Sequence, residues 1–134
     1  MRLVDQALPY VRAISPYLPG KPITELAREM GMPVDRIVKL ASNENPLGMS
    51  PKAKKAVEAA INGIERYPDQ FDLIKAVAQR ACLAANQVVL GNGSNDVLDL
   101  IARVFLAPGR SAVFAQHAFA VYPLATLSTG AELI

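Results

Sequence analysis

The chain has 134 residues, with 14 basic and 12 acidic side chains and a formal net charge of +2. A hydrophobic content of 51% beside 19% charged residues excludes global disorder, and the length suits one domain of ordinary size. The nearly balanced charge excludes the electrostatic signature of a nucleic-acid binder, and one cysteine and one histidine exclude an internal disulfide and a histidine-rich metal site.

Neither an export signal nor a membrane span is predicted. Asp5 and Pro9 interrupt the apolar run that a signal peptide needs. Residues 111–131 carry no formal charge over about the length of a spanning helix, but Gln116 and Pro123 divide them into short apolar runs. We interpret this segment as a strand, a loop and a buried helix, and we expect a cytoplasmic protein.

Residues 1–49 are predicted to form an extended arm. Seven of the ten prolines lie within the first 51 residues, and each one fixes φ and removes a backbone donor. Long regular structure is therefore not expected there, and only a short helix at about Thr24–Met30 is predicted.

Regular structure is predicted from Ser50 onward. Ser50 and Pro51 have the residue types of an N-cap and a first helical position, and Gly63 marks the end of that helix. Residues 66–69 are predicted to form a turn in which Asp69 caps a second helix. The apolar stripe of this second helix comprises Ile74, Val77, Ala78 and Ala81.

An alternation of three strands and two helices is predicted for residues 87–134. Strands are expected at Gln87–Leu90, at Ser111–Ala115 and from Glu132, with helices starting at about Ser94 and at about Phe119. The order indicates an α/β fold with a mainly parallel sheet and flanking helices. The first of these helices is apolar on most of its circumference, so burial on more than one side is expected. So few strands would leave apolar faces open to water.

The loop Gly91–Asp96 (GNGSND) has the composition of an anion site. Its glycines allow positive φ, and the N–H groups of Ser94, Asn95 and Asp96 would point out of the helix start. The Asp96 carboxylate would repel a phosphate and is expected to point away from it. The alternative is a tight strand-to-helix turn that binds nothing. The loop is neither a dinucleotide fingerprint, which would have a third glycine at position 96, nor a P-loop, which would need Gly-Lys-Ser/Thr.

Two further segments carry polar or aromatic side chains. Phe119 follows the predicted strand and could lie flat on a planar ligand, or pair with Tyr122 in ordinary helix packing. His117 has no partner that would make it a ligand or a catalytic base, and we interpret it as a loop residue. Residues 41–48 (ASNENPLG) are interpreted as a turn stabilised by side chains.

Five segments together resemble the histidinol-phosphate aminotransferase family, whose members are fold-type I enzymes that use pyridoxal 5′-phosphate (PLP). They are SPY (15–17), KLASNENPLGMSP (39–51), RYPD (66–69), GNGSND (91–96) and FAVYPLA (119–125). The resemblance implies an N-terminal arm and substrate-side segment at 1–49, followed at 50–134 by the start of the PLP-binding large domain. It further implies a homodimer that transfers an amino group from L-histidinol phosphate to 2-oxoglutarate in histidine biosynthesis, giving imidazole acetol phosphate and L-glutamate.

The same resemblance implies roles for eight residues. Gly93, Ser94 and Asn95 would hold the cofactor phosphate, and Phe119 would stack on the pyridine ring. Tyr67 would reach the cofactor of the neighbouring subunit. The implied substrate-binding residues are Tyr17, Asn43 and Asn45.

No residue is assigned a catalytic role. The family's Schiff-base lysine and its other ring-binding residues lie further along the chain than Ile134, and none of the six lysines here matches it. The chain is therefore expected to be an N-terminal portion that does not catalyse transamination alone. Two alternatives remain open: another class I/II aminotransferase or phosphothreonine decarboxylase-like member, and a complete non-catalytic α/β module that binds phosphate or dimerises.

Overall fold

Six α-helices and two β-strands occur in the computed structural model, which describes residues 2–42 and 44–134. In chain order they are α1 (Pro9–Arg12), α2 (Ile23–Met30), α3 (Pro51–Ala60), α4 (Phe71–Ala81), α5 (Ser94–Phe105), β1 (Ser111–Ala112), α6 (Val121–Ser128) and β2 (Glu132–Leu133). Single 3₁₀ turns lie at Leu3–Gln6, Val34–Arg36, Ile61–Gly63 and Ala85–Gln87. The chain divides into a first unit of Met1–Tyr17 with Asp69–Ile134 and a second unit of Leu18–Pro68.

The second unit contains α2 and α3, and both lie where the sequence predicts them. Helix α2 ends at Gly31, whose φ of 61° is the left-handed conformation of a helix C-cap. Helix α3 begins at Pro51, and the Ser50 hydroxyl oxygen accepts a hydrogen bond of 3.2 Å from the Ala53 N–H. The predicted cap is therefore confirmed. Helix α3 has no buried residue, so its apolar side chains face solvent in this chain.

In the first unit, the N-cap position of α4 is Gln70 and not the predicted Asp69, but Asp69 still bonds the start of the helix. The Asp69 carboxylate accepts a hydrogen bond of 2.9 Å from the Phe71 N–H, which is the first amide of the helix. Of the predicted apolar stripe, Ala78 is buried and Val77 is 38% exposed. The stripe is therefore only partly covered by the residues that pack against α4.

A parallel β–α–β unit forms the end of the chain. Strands β1 and β2 pair in parallel, with Ser111 opposite Glu132, and α6 connects them. The Glu132 N–H donates to the Arg110 carbonyl oxygen at 2.9 Å, and the Ile134 N–H donates to the Ala112 carbonyl oxygen at 2.9 Å. The predicted parallel α/β arrangement is confirmed for these two strands.

The prediction of a strand at Gln87–Leu90 is wrong. Gln87 belongs to a 3₁₀ turn, and residues 88–90 join neither strand of the sheet. A strand exists only through hydrogen bonds to a neighbour, and β1 pairs with β2 instead. The predicted strand at Ser111–Ala115 is also shorter, since regular pairing stops at Ala112.

No helix among the described residues combines the length and apolar character needed to cross a membrane. Residues 111–131, the uncharged segment, form β1, a loop and α6, as the sequence predicts. Ala125 and Thr126 of α6 are buried, which confirms the interpretation of this part as a buried helix.

Small side chains make up the buried core. Of the described residues, those classed as buried are Ala27, Ala78, Ala102, Ala125, Thr126 and Ala131. Helix α5 packs against α6, but Ala102 is its one buried residue, and Val104 and Phe105 are 71% and 61% exposed. Burial of α5 on more than one side is therefore a wrong prediction for this chain.

The chain leaves much of its surface accessible to water. Its accessible area is 11645 Å², whereas a folded monomer of 14.4 kDa is expected to have about 6,800 Å². Among the side chains that remain exposed are Leu40, Leu47, Ile64 and Val113, each more than three-quarters exposed. The expectation of open apolar faces is confirmed.

Candidate functional site

The start of α5 has the backbone geometry of an anion site. Gly93 precedes the helix with φ 87° and ψ 174°, a conformation that is essentially restricted to glycine. A Cβ added to Gly93 would meet no atom within 4 Å, so the requirement for glycine there is torsional. This conformation turns the chain directly from the loop into the first turn of α5.

Three backbone donors at this helix start are left open. Among the described residues, the N–H groups of Ser94, Asn95 and Asp96 have no backbone acceptor, because the first helical bond runs from Val97 to the Gly93 carbonyl oxygen. Such donors at the positive end of a helix bind anions, phosphate groups among them. Ser94 and Asn95 are exposed, so solvent and ligands reach them.

The Asp96 carboxylate turns back onto the loop. Its Oδ2 accepts a hydrogen bond of 2.9 Å from the Asn92 N–H. The sequence predicts only that this side chain points away from a bound phosphate, whereas the structure shows a specific partner for it. A negative charge in the first turn also interacts favourably with the helix dipole.

The aromatic side chains after β1 form a small cluster. The rings of Phe119 and Tyr122 meet edge to face with centroids 6.3 Å apart, and Phe114 stacks on Tyr122 at 6.1 Å. Phe119 is still 47% exposed, so part of its ring is free to contact a planar ligand. His117 lies exposed in the turn after β1, in agreement with its interpretation as a loop residue.

The two loops lie at the same end of the first unit. Helix α6 runs antiparallel to β1, because it returns the chain to the parallel strand β2. Helix α5 leads into β1 through a tight turn at Pro108 and Gly109 and packs against α6, so it also runs back along β1. Both helix starts therefore lie at the carboxyl end of β1, where parallel α/β folds bind their ligands.

The remaining predicted residues lie elsewhere in the chain. Tyr17 is 56% exposed at the end of the N-terminal segment of the first unit. Tyr67 belongs to the second unit and is fully exposed in the turn before α4. The roles of both tyrosines stay predictions.

Asn45 stabilises a turn, as the sequence interpretation of residues 41–48 proposes. Its Nδ2 donates to the Gly48 carbonyl oxygen at 2.8 Å, and its Oδ1 accepts from the Leu47 N–H at 3.1 Å. Glu44 in the same segment pairs with Lys39 at 2.7 Å. Asn43, the other predicted substrate-binding amide, lies outside the described residues.

Sequence reasoning missed two features of the first unit. A Cβ on Gly91 would stand 2.9 Å from Asp96 Oδ2, so only glycine admits this carboxylate. A Cβ on Gly130 would stand 3.1 Å from the Tyr10 ring of α1, which packs against α6, and 3.1 Å from Pro108 in the turn before β1. The glycines are visible in the sequence, but the side chains that approach them are set by tertiary contacts.

Comparisons with known proteins identify relatives of this chain. A family model described as aminotransferase class I and II matches residues 35–134. Histidinol-phosphate aminotransferase 1 of Dechloromonas aromatica (strain RCB) is 87% identical over 134 residues, which is 100% of this chain and 37% of that protein. Histidinol-phosphate aminotransferase 2 of Nitrosospira multiformis is 59% identical over 132 residues, or 97% of this chain and 34% of that protein.

A solved structure shares the fold. It is the histidinol-phosphate aminotransferase of Sinorhizobium meliloti in complex with pyridoxal-5′-phosphate, with a TM-score of 0.74 and 21% identity. The match covers 96% of this chain and 34% of that chain. This chain thus spans little more than a third of the length of the relatives it matches. Because the family model matches most of its residues, the chain belongs to the class I and II aminotransferase family.

Proposed function

We propose that this chain forms the N-terminal third of a histidinol-phosphate aminotransferase and supplies the part that binds the cofactor phosphate. The observation that carries the proposal is the 87% identity to such an enzyme over all 134 residues. The full protein would transfer the amino group of L-histidinol phosphate to 2-oxoglutarate, in the cytoplasm, as a step of histidine biosynthesis. The products would be imidazole acetol phosphate and L-glutamate.

The donors at the start of α5 fit pyridoxal 5′-phosphate as cofactor. A phosphate ester needs several N–H or O–H donors, and α5 offers three open amides together with the Ser94 hydroxyl. Gly93 has no Cβ to crowd a ligand at this point. When bound, the cofactor acts as the electron sink for the substrate's α-carbon.

Five residues would hold the cofactor. Gly93, Ser94 and Asn95 would bind its phosphate, and Phe119 would cover one face of its ring. The exposed part of the Phe119 ring and its position at the carboxyl end of β1 support this role. Tyr67 would act across a homodimer on the partner's cofactor, which its complete exposure in this chain supports.

The substrate side would be formed by the N-terminal part of the chain. Tyr17, Asn43 and Asn45 would line the pocket for the amino-acid phosphate. In this proposal residues 1–49 are the arm and substrate-side segment, and residues 50–134 begin the large domain of a fold-type I enzyme. Because both polar atoms of Asn45 already stabilise a turn, its part would be to shape the pocket wall.

None of the six lysines of the chain lies within the two segments proposed to hold the cofactor, residues 91–96 and 113–122. Lys75 of α4 sits 4.2 Å above the Phe71 ring. We therefore expect the 134-residue chain alone to be inactive as an aminotransferase. Borohydride treatment of the chain with PLP should leave no lysine specifically modified, and a single modified lysine would contradict this expectation.

A fusion protein tests the proposed function. This chain is joined to the residues that follow the matched region in the Dechloromonas aromatica relative, and glutamate formation from 2-oxoglutarate is measured with L-histidinol phosphate as donor. We expect PLP-dependent activity close to that of the relative. Aromatic amino acids and threonine phosphate serve as competing donors. A folded but inactive fusion, or one that prefers another donor, would refute the assignment.

The role of Tyr17 is tested in the same fusion protein. The Tyr17→Phe variant removes only the hydroxyl group, so it should raise KM for L-histidinol phosphate several-fold while the affinity for PLP stays unchanged. An unchanged KM would remove Tyr17 from the substrate site.

A further inference from the structure

The starts of α3 and α5 are stabilised in opposite ways. At α3 the N-cap Ser50 accepts a hydrogen bond from the Ala53 N–H, so the cap itself occupies one of the helix's free donors. At α5 the N-cap is Gly93, which has no side chain and makes no such bond. The first-turn donors of α5 therefore stay available to an acceptor from outside the helix.

The loop before α5 is nevertheless tied down. The Gly93 N–H donates to the Gly91 carbonyl oxygen at 2.9 Å, and the Asn92 N–H donates to Asp96 Oδ2 at 2.9 Å. Both bonds use amides of the loop rather than amides of the helix. At α5 a side chain of the helix, Asp96, therefore accepts a hydrogen bond from an amide of the loop. In an ordinary N-cap the side chain before the helix accepts a hydrogen bond from an amide of the helix.

Gly91 makes room for this contact. A Cβ at Gly91 would lie 2.9 Å from Asp96 Oδ2, 3.3 Å from Asp96 Cβ and 2.9 Å from Val97 Cγ2. Real Cβ atoms essentially never approach another atom as closely as the two 2.9 Å distances, so a larger residue at position 91 would displace the carboxylate. The Asp96 carboxylate therefore depends on the absence of a side chain at Gly91, and this fit together with the hydrogen bond to Asn92 is called the interlock.

We propose that Asp96 is the positioning residue of the phosphate loop. Its carboxylate takes up the Asn92 N–H and fixes residues 91–93 in the conformation that presents the amides of Ser94, Asn95 and Asp96 to a phosphate ester. The contribution of Asp96 comes from its hydrogen-bond acceptor and not from its charge, because a negative charge beside a phosphate opposes binding. This inference rests on the proposed PLP site, but the interlock itself is measurable without a ligand.

Hydrogen exchange of the Asn92 amide tests the interlock in the 134-residue chain. In the Asp96→Ala variant this amide loses its acceptor, so its exchange should become about tenfold faster or more. In Asp96→Asn the side-chain carbonyl oxygen still accepts, and exchange should stay slow. Asp99→Ala is the matched control, since Asp99 lies one turn later on α5 and pairs with Arg103. Rapid exchange of the Asn92 amide in the unmodified chain would overturn the interlock.

Cofactor affinity in the fusion protein tests the positioning role. Asp96→Ala should weaken PLP binding about tenfold, whereas Asp96→Asn should bind PLP at least as tightly as the unmodified fusion. Asp99→Ala, which removes only the pairing with Arg103 one turn later on α5, should keep the PLP affinity of the unmodified fusion. Equal PLP affinity in Asp96→Ala and the unmodified fusion, or loss of affinity in Asp96→Asn, would overturn the role of Asp96. Failure of the unmodified fusion to bind PLP would instead refute the proposed function, and the exchange data would still decide the interlock.

Discussion

Replacing Gly93 by alanine should weaken cofactor binding because of the backbone conformation at this residue. Gly93 has φ 87° and ψ 174°, and no atom lies within 4 Å of an added Cβ. The cost of the substitution is therefore torsional, about 1–3 kcal/mol for a residue held in this region. The variant loop is expected to relax when no ligand is bound and to adopt this backbone conformation only when it binds the phosphate. The torsional cost is then subtracted from the binding free energy, so the affinity for PLP should fall about 5- to 150-fold.

The measurement is a spectrophotometric titration of the fusion protein with PLP. Gly109→Ala is the control, because Gly109 also has positive φ, at 85°, with no atom within 4 Å of an added Cβ, but precedes β1 at the other end of the strand. The control should lose stability and keep its affinity for PLP. Unchanged affinity in Gly93→Ala, or an equal loss in Gly109→Ala, would refute the reasoning.

Three further predictions concern stability. Ser50→Ala removes the acceptor for the Ala53 N–H and should lower the free energy of unfolding by about 0.5–2 kcal/mol, measured by urea denaturation, while Ser50→Thr should keep most of it. The chain's urea m-value should be about two-thirds of that of a compact 14.4 kDa monomer. The reason is that the folded chain already has an accessible area of 11645 Å², so unfolding exposes less additional surface. An m-value equal to that of the compact monomer would contradict this prediction. The hydrogen bond from Lys21 to Glu29 raises the pKa of Lys21, so its small contribution to stability is present at neutral pH and lost as the pH rises through that pKa. Glu29→Gln should return the Lys21 pKa toward its ordinary value in an NMR titration.

The helix boundaries of this protein follow from short stretches of sequence. Ser50 and Pro51 start α3, the Asp69 carboxylate accepts from the first amide of α4, and Gly31 ends α2 in the left-handed conformation. Each of these features depends on bonds between residues at most a few positions apart, so the residue types alone predict them. The turn around Asn45 is predictable for the same reason.

The candidate site is predictable only in part. The sequence of the loop 91–96 indicates open amides before a helix, and the structure has them at the start of α5. The hydrogen bond between Asp96 and Asn92, and its dependence on Gly91, are not apparent from residue types, because an aspartate in a first helical turn commonly acts through its charge alone. The roles of Tyr17 and Tyr67 stay predictions.

Local sequence determined the helices, caps and turns of this chain, together with the residues from which the phosphate loop is built. Tertiary structure decided which elements find partners: residues 88–90 stay unpaired while β1 joins β2, and Val104 and Phe105 of α5 stay exposed. Helix caps are satisfied by neighbours in the chain, whereas strands and apolar faces are satisfied only by residues that folding brings to them.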